Sequence, residues 1–71
     1  MISYRPLWKL MKEKHVTTYT LRNIHHFSHS TVQRLQKDMP VTTYTLNRLC
    51  CILNCKIEDI VQYTYDPDDC G

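Results

Sequence analysis

A single glycine, the last of 71 residues, leaves this chain few places where the backbone can reverse sharply. With only three prolines beside it, helices with short connections are favoured over a many-stranded sheet. The length allows one domain at most. A chain this short buries a small core, so its stability is modest unless it is stapled or oligomeric. A hydrophobic share of 42% is ordinary for a globular protein and argues against disorder.

Residues 2–5 (ISYR) alternate apolar and polar and fit one short strand. Pro6 suits the first position of a helix. Leu7, Leu10 and Met11 follow at i, i+3 and i+4, with Trp8 at the edge of the stripe, so the spacing predicts a helix over 6–14. Thr17 can cap a second helix, with Val16 and Leu21 as its hydrophobic staple. Leu21 and Ile24 should face the core, and the helix should end near His25–His26. Ser28 then caps a third helix over 29–37, stapled by Phe27 and Val32 and stopping before Pro40.

The phrase VTTYTL at 16–21 returns unchanged at 41–46, a spacing of 25 residues. The apolar pattern carries on beyond it, pairing Ile24 with Leu49, Phe27 with Ile52, Val32 with Ile57 and Leu35 with Ile60. The same helix start thus serves twice, through duplication or through shared capping needs, and two units are too few for a solenoid. A fourth helix is expected over 43–53, burying Leu46, Leu49, Cys50 and Leu53, with Asn54 as a left-handed C-cap. Ile57, Ile60 and Val61 suggest a short fifth helix, with Glu58 and Asp59 in its first turn. VQYTY at 61–65 alternates and could pair with ISYR. The expected division is a domain at 1–65 and an acidic, flexible tail at 66–71.

The formal charge of +2 hides an asymmetry. Residues 1–37 carry seven Lys and Arg against Glu13 alone, a net +6; residues 38–71 carry two against six carboxylates, a net −4. All four histidines lie in the basic half. The split suggests one face for a polyanion and another turned away from it. The third helix fits that role. Phe27, Val32 and Leu35 would face inward, leaving His29, Ser30, Gln33, Arg34 and Lys37 on an outer face of the kind a DNA major groove admits. Nothing at the N-terminus resembles a signal peptide and no apolar run is long enough to span a membrane. A cytoplasmic protein with reduced cysteines is therefore expected.

Five short helices with this arrangement resemble the Cro/CI-type (lambda-repressor-like, XRE) helix-turn-helix family, over roughly residues 2–64. The likeness is to its small stand-alone bacterial regulators. It is carried in order by Ile2, Ser3, Tyr4, Leu7, Trp8, Leu21, Arg22, Ser28, Ser30, Thr31, Leu35, Pro40, Val41, Cys50, Cys55, Ile57, Asp59, Ile60 and Val61. The resemblance implies an all-α, five-helix DNA-binding domain, with room for a short two-stranded pairing of the terminal segments. It implies that the third helix enters the major groove while the second spans the phosphate backbone. His29, Ser30 and Arg34 then match base-reading positions, Gln33 can reach bases or phosphate, and Thr18 matches a phosphate-contacting position. The sequence departs from the family at the turn, with His26 where glycine usually takes a left-handed conformation, and Arg22 stands where the wider family prefers a small residue between the two helices. The family often binds paired half-sites as a homodimer, about one helical turn (~34 Å) apart. Tyr63, Tyr65 and the last helix are candidates for the dimer contact.

Other chemistries find less support. His25, His26 and His29 fall across a turn and the cysteines offer no C-x-x-C pair, so no metal site is expected. Cys50 falls on the core face of the fourth helix, where a free cysteine is ordinarily buried. A disulfide to Cys70 would need an oxidised sample. Trp8 and the five tyrosines are scattered, without the basic groove of a single-strand binder. No nucleophile–base pair, phosphate loop or carboxylate pair stands out, so neither an enzyme, a cofactor nor a small-molecule ligand is expected. Two classes remain. One is a sequence-specific regulator of transcription, a repressor or autoregulator acting on a double-stranded operator. The other is a protein-interaction module on the same fold, an antitoxin-like or antirepressor partner. The +6 half favours the first.

Overall fold

The computed structural model describes residues 1–69. Four α-helices follow one another in the order α1 (Arg5–Glu13), α2 (Thr18–Asn23), α3 (His29–Gln36) and α4 (Thr43–Leu53). Strand β1 (Ile2–Ser3) precedes them, and β2 (Gln62–Tyr63) comes after them. The two strands pair antiparallel, Ile2 opposite Tyr63 and Ser3 opposite Gln62, so the terminal alternations do meet. No helix among the described residues is long and apolar enough to cross a membrane.

Three starts follow from hydroxyl caps. Thr17, Ser28 and Thr42 each stand extended, and each side chain accepts from the amide three residues on, at 3.2, 3.1 and 3.2 Å. These bonds satisfy donors that a helix cannot use internally. The ends follow from the shortage of glycine. His15, His26, Asp38 and Asn54 all take positive φ, between 50° and 59°, one just beyond each α-helix. Histidine, aspartate and asparagine tolerate this region better than most residues with a Cβ. After three of them the next amide closes back five residues: Val16 to Met11, Met39 to Arg34 and Cys55 to Cys50.

The core gathers residues from every α-helix. Leu7 and Met11, Leu21, Val32 and Leu35, and Leu49 and Leu53 come together with Tyr4, Phe27 and Ile60. The four residues expected as staples all join this core, with Leu21, Phe27 and Val32 buried and Val16 packed at the margin.

Several expectations need correction. The fifth helix is a single 3-10 turn, Ile57–Asp59. The Lys56 side chain has no oxygen to cap with; its carbonyl accepts from the Asp59 amide at 3.0 Å, and the Asp59 carboxylate reaches back to accept from the Lys56 amide at 2.9 Å. Ile60 is buried there, but Ile57 is exposed. α2 ends at Asn23, short of His25–His26, and Ile24 is 64% exposed instead of facing the core. Cys50 is half-buried at the core margin, as is Leu46. Cys70 and the end of the 66–71 segment lie outside the described residues. In the described part, Asp66 accepts from the Asp68 amide at 3.0 Å, and Asp69 pairs with the Met1 ammonium at 3.2 Å.

Candidate nucleic-acid interface

Helix α3 is built to show one face and bury the other. Val32 and Leu35, three residues apart, are 3% and 0% exposed. Helical spacing then turns His29, Ser30, Gln33, Arg34 and Lys37 outward, and all five are exposed. Among the described residues, the side chains of His29, Gln33, Arg34 and Lys37 have no hydrogen bond or ion pair. Arg34 is therefore not tied into a surface salt bridge, and its five donors are free in a planar fork. Ser30 differs, because its hydroxyl lies 3.3 Å from the capping Ser28 hydroxyl, which itself donates to Thr31 at 2.8 Å.

Thr18 opens α2 and is half-buried. The amides of Thr18 and Tyr19 belong to the first turn and have no helical acceptor. Lys37 closes α3, next to the left-handed Asp38. The structure thus brings His29, Ser30, Gln33, Arg34 and Lys37 onto one helix face, while Thr18 stands on the neighbouring helix.

Both ends of α3 are fastened, by residues to which the sequence reading gave no part in the site. At its C-terminal end Tyr4, 4% exposed, makes two bonds. Its amide donates to Asp38 Oδ1 at 2.9 Å and its hydroxyl donates to the Met39 carbonyl at 2.9 Å. Burial, and then the Asp38 charge, push the Tyr4 hydroxyl above its ordinary pKa. At the N-terminal end, the Arg48 guanidinium of α4 donates to the His25 carbonyl. It also lies over the Phe27 ring, 4.4 Å from the centroid. The sequence held one signal for Arg48. Its helical neighbours Tyr44, Thr45, Cys51 and Ile52 include no carboxylate, so a partner had to come from elsewhere in the fold. Tyr4 was placed on a strand, where the apolar–polar alternation says nothing of a buried hydroxyl.

Among the described residues, no three His, Cys, Asp or Glu side chains come together as a metal-ligand set. Burial, and then the neighbouring Cys50 thiol, push the Cys55 thiol above its ordinary pKa.

Comparison with known proteins agrees with this geometry. The family model described as the Cro/C1-type HTH DNA-binding domain matches residues 6–66. The chain is similar to a solved structure, the crystal structure of transcriptional regulator VanUg, at 32% sequence identity and a TM-score of 0.83, over 92% of this chain and 87% of that one. No curated protein matches it.

Proposed function

We propose, for a chain that belongs to the Cro/C1-type helix-turn-helix DNA-binding family, that it is a sequence-specific transcriptional regulator, a repressor or autoregulator that acts by occupying a double-stranded operator. The observation that carries this reading is the outer face of α3, where His29, Ser30, Gln33 and Arg34 are exposed and the Arg34 fork has no carboxylate partner among the described residues. Arg34 reads guanine through O6 and N7, the commonest specific contact of this kind. His29 and Ser30 meet base edges from the first turn, and Gln33 meets a base or phosphate. Thr18 and Lys37 hold the backbone to either side.

The protein acts without catalysis and without a cofactor, in the cytoplasm, with residues 1–65 as the binding unit. Two copies engage half-sites about one turn (~34 Å) apart, through a surface that includes Tyr63 and Tyr65, which are 60% and 69% exposed. The similarity to a transcriptional regulator supports the regulatory role.

Selection of bound duplexes from random DNA tests this, followed by titration of the recovered duplex across salt. A recovered consensus, with log affinity falling linearly against log salt by about 0.9 per phosphate met, is expected. Retention of no duplex, or binding indifferent to salt, would favour a protein-interaction module instead. One protomer saturating a non-palindromic site, with no second bound at high concentration, would remove the dimer.

A further inference from the structure

The junction between α2 and α3 is closed differently from the other helix ends. Beyond α1, α3 and α4 the amide after the left-handed residue reaches back five positions; here the Phe27 amide reaches back six, to the Leu21 carbonyl at 2.9 Å. The wider ring leaves carbonyls at the end of α2 to be satisfied from outside. The His25 carbonyl is taken by Arg48, 23 residues away on α4. The same guanidinium covers the Phe27 ring, a contact that suits a planar, weakly hydrated cation. Among the described residues Arg48 has no carboxylate partner, so these two contacts account for its placement. Phe27 directly precedes the Ser28 cap, and α3 grows from that point.

We propose that Arg48 is a positioning residue for DNA recognition: it holds the α2–α3 turn at the angle that presents Arg34 to its base, without meeting DNA itself. This rests on the DNA reading of α3. The lever is short but sufficient. Arg34 lies seven residues beyond Phe27, about 10 Å along the helix axis, so a tilt of about 10° at the turn moves it by nearly 2 Å. Hydrogen bonds tolerate a spread of only about 0.5 Å in distance, so a bidentate contact does not survive that displacement. Phosphate contacts of long flexible side chains do survive it. Loss of Arg48 therefore separates discrimination from affinity.

The experiment compares wild type with Arg48→Met, which keeps the stem and loses the fork, and with Arg48→Lys, which keeps the charge. Each is titrated against a duplex recovered by selection with the wild type and against a scrambled duplex of equal length, over a range of salt. Amide exchange is followed at Phe27. Both variants should lose about tenfold on the selected duplex, the scale of one hydrogen-bonded base contact, while keeping scrambled-duplex affinity and salt slope. The Phe27 amide should exchange faster in both. Should Arg48→Met fail to fold, Arg48→Lys carries the same comparison. Equal losses on both duplexes with a shallower salt slope would make Arg48 a phosphate ligand and overturn the proposal. Wild-type discrimination retained in both variants would overturn it as well, leaving the DNA reading intact. Retention of no duplex by the wild type would overturn the DNA reading itself.

Discussion

The two copies of VTTYTL begin alike and end differently. Thr17 and Thr42 cap with the same bond at the same distance, their hydroxyls reach Thr20 and Thr45 at 3.1 and 3.2 Å, and Tyr19 and Tyr44 are 70% and 69% exposed. Yet α2 runs six residues and α4 eleven. The difference lies downstream. After the first copy come Arg22, Asn23, Ile24, His25 and His26, with one apolar residue among them, and the Asn23 amide group turns back to donate to the Tyr19 carbonyl at 3.0 Å. Ser28 then offers a new cap. After the second copy come Leu49, Cys50, Ile52 and Leu53 at helical spacing, and burial carries the helix on. A hexapeptide can set where a helix starts. The residues downstream of it set where the helix stops, and so whether it becomes a short element beside α3 or a longer one that sends Leu49 and Leu53 into the core.

The largest test of this contrast substitutes equivalent apolar residues. Leu49, 0% exposed, and Ile24, 64% exposed, hold the same repeat position. Leu49→Ala should cost about 2–4 kcal/mol in urea unfolding, and Ile24→Ala about 0.5 kcal/mol or less. Equal losses would mean that Ile24 is buried in solution and that the two helices pack alike.

Next come the caps. Thr17→Ala and Thr42→Ala should each cost about 1 kcal/mol, because each removes the same bond. A much larger loss at Thr42 would show that the cap is coupled to the packing of α4. Thr18→Val against Thr43→Val compares the first helical residue of each copy. Thr18→Val should weaken selected and scrambled duplexes alike, by about 1 kcal/mol, with Thr43→Val near neutral; a loss at both would put both copies against the backbone.

The smallest effect concerns the helix ends. His26→Gly should stabilise by about 0.5–1 kcal/mol, since glycine takes positive φ without the Cβ penalty. Asn54→Gly should gain less, asparagine being the better tolerated residue there. The reverse order, read by thermal unfolding, would mean that the His26 side chain supports the turn.

What could be read from the chain in advance depends on the range of the interactions involved. Ser28, Thr17 and Thr42 announced their helices because a cap acts over three residues. The 43–53 helix and Asn54 were legible for the same reason, since period and C-cap are local. The outer face of α3 was legible too, because Val32 and Leu35 fix its opposite. Ile24 misled because its spacing from Leu21 assumed a helix that the chain abandons after Asn23. Ile57 misled because the one-turn 3-10 segment buries none of its own residues, and Ile60 just beyond it is the one that enters the core. Cys50 sits at the margin because α4 turns Leu49 and Leu53 inward ahead of it. Tyr4 and Arg48, which fasten the ends of α3, make their bonds across 34, 35 and 23 residues, and no local pattern encodes such partners.

The central claim is that the α3 face reads bases and that its neighbours hold the backbone. Arg34→Lys tests it most directly, because lysine keeps the charge and loses the planar fork. Titrated against the selected and scrambled duplexes at one salt concentration, the variant should lose about 1–3 kcal/mol on the selected duplex. It should keep most of its affinity for the scrambled one, with discrimination relaxed at a single base position. Equal losses on the two duplexes would make Arg34 a phosphate contact, and no loss on either would contradict the account.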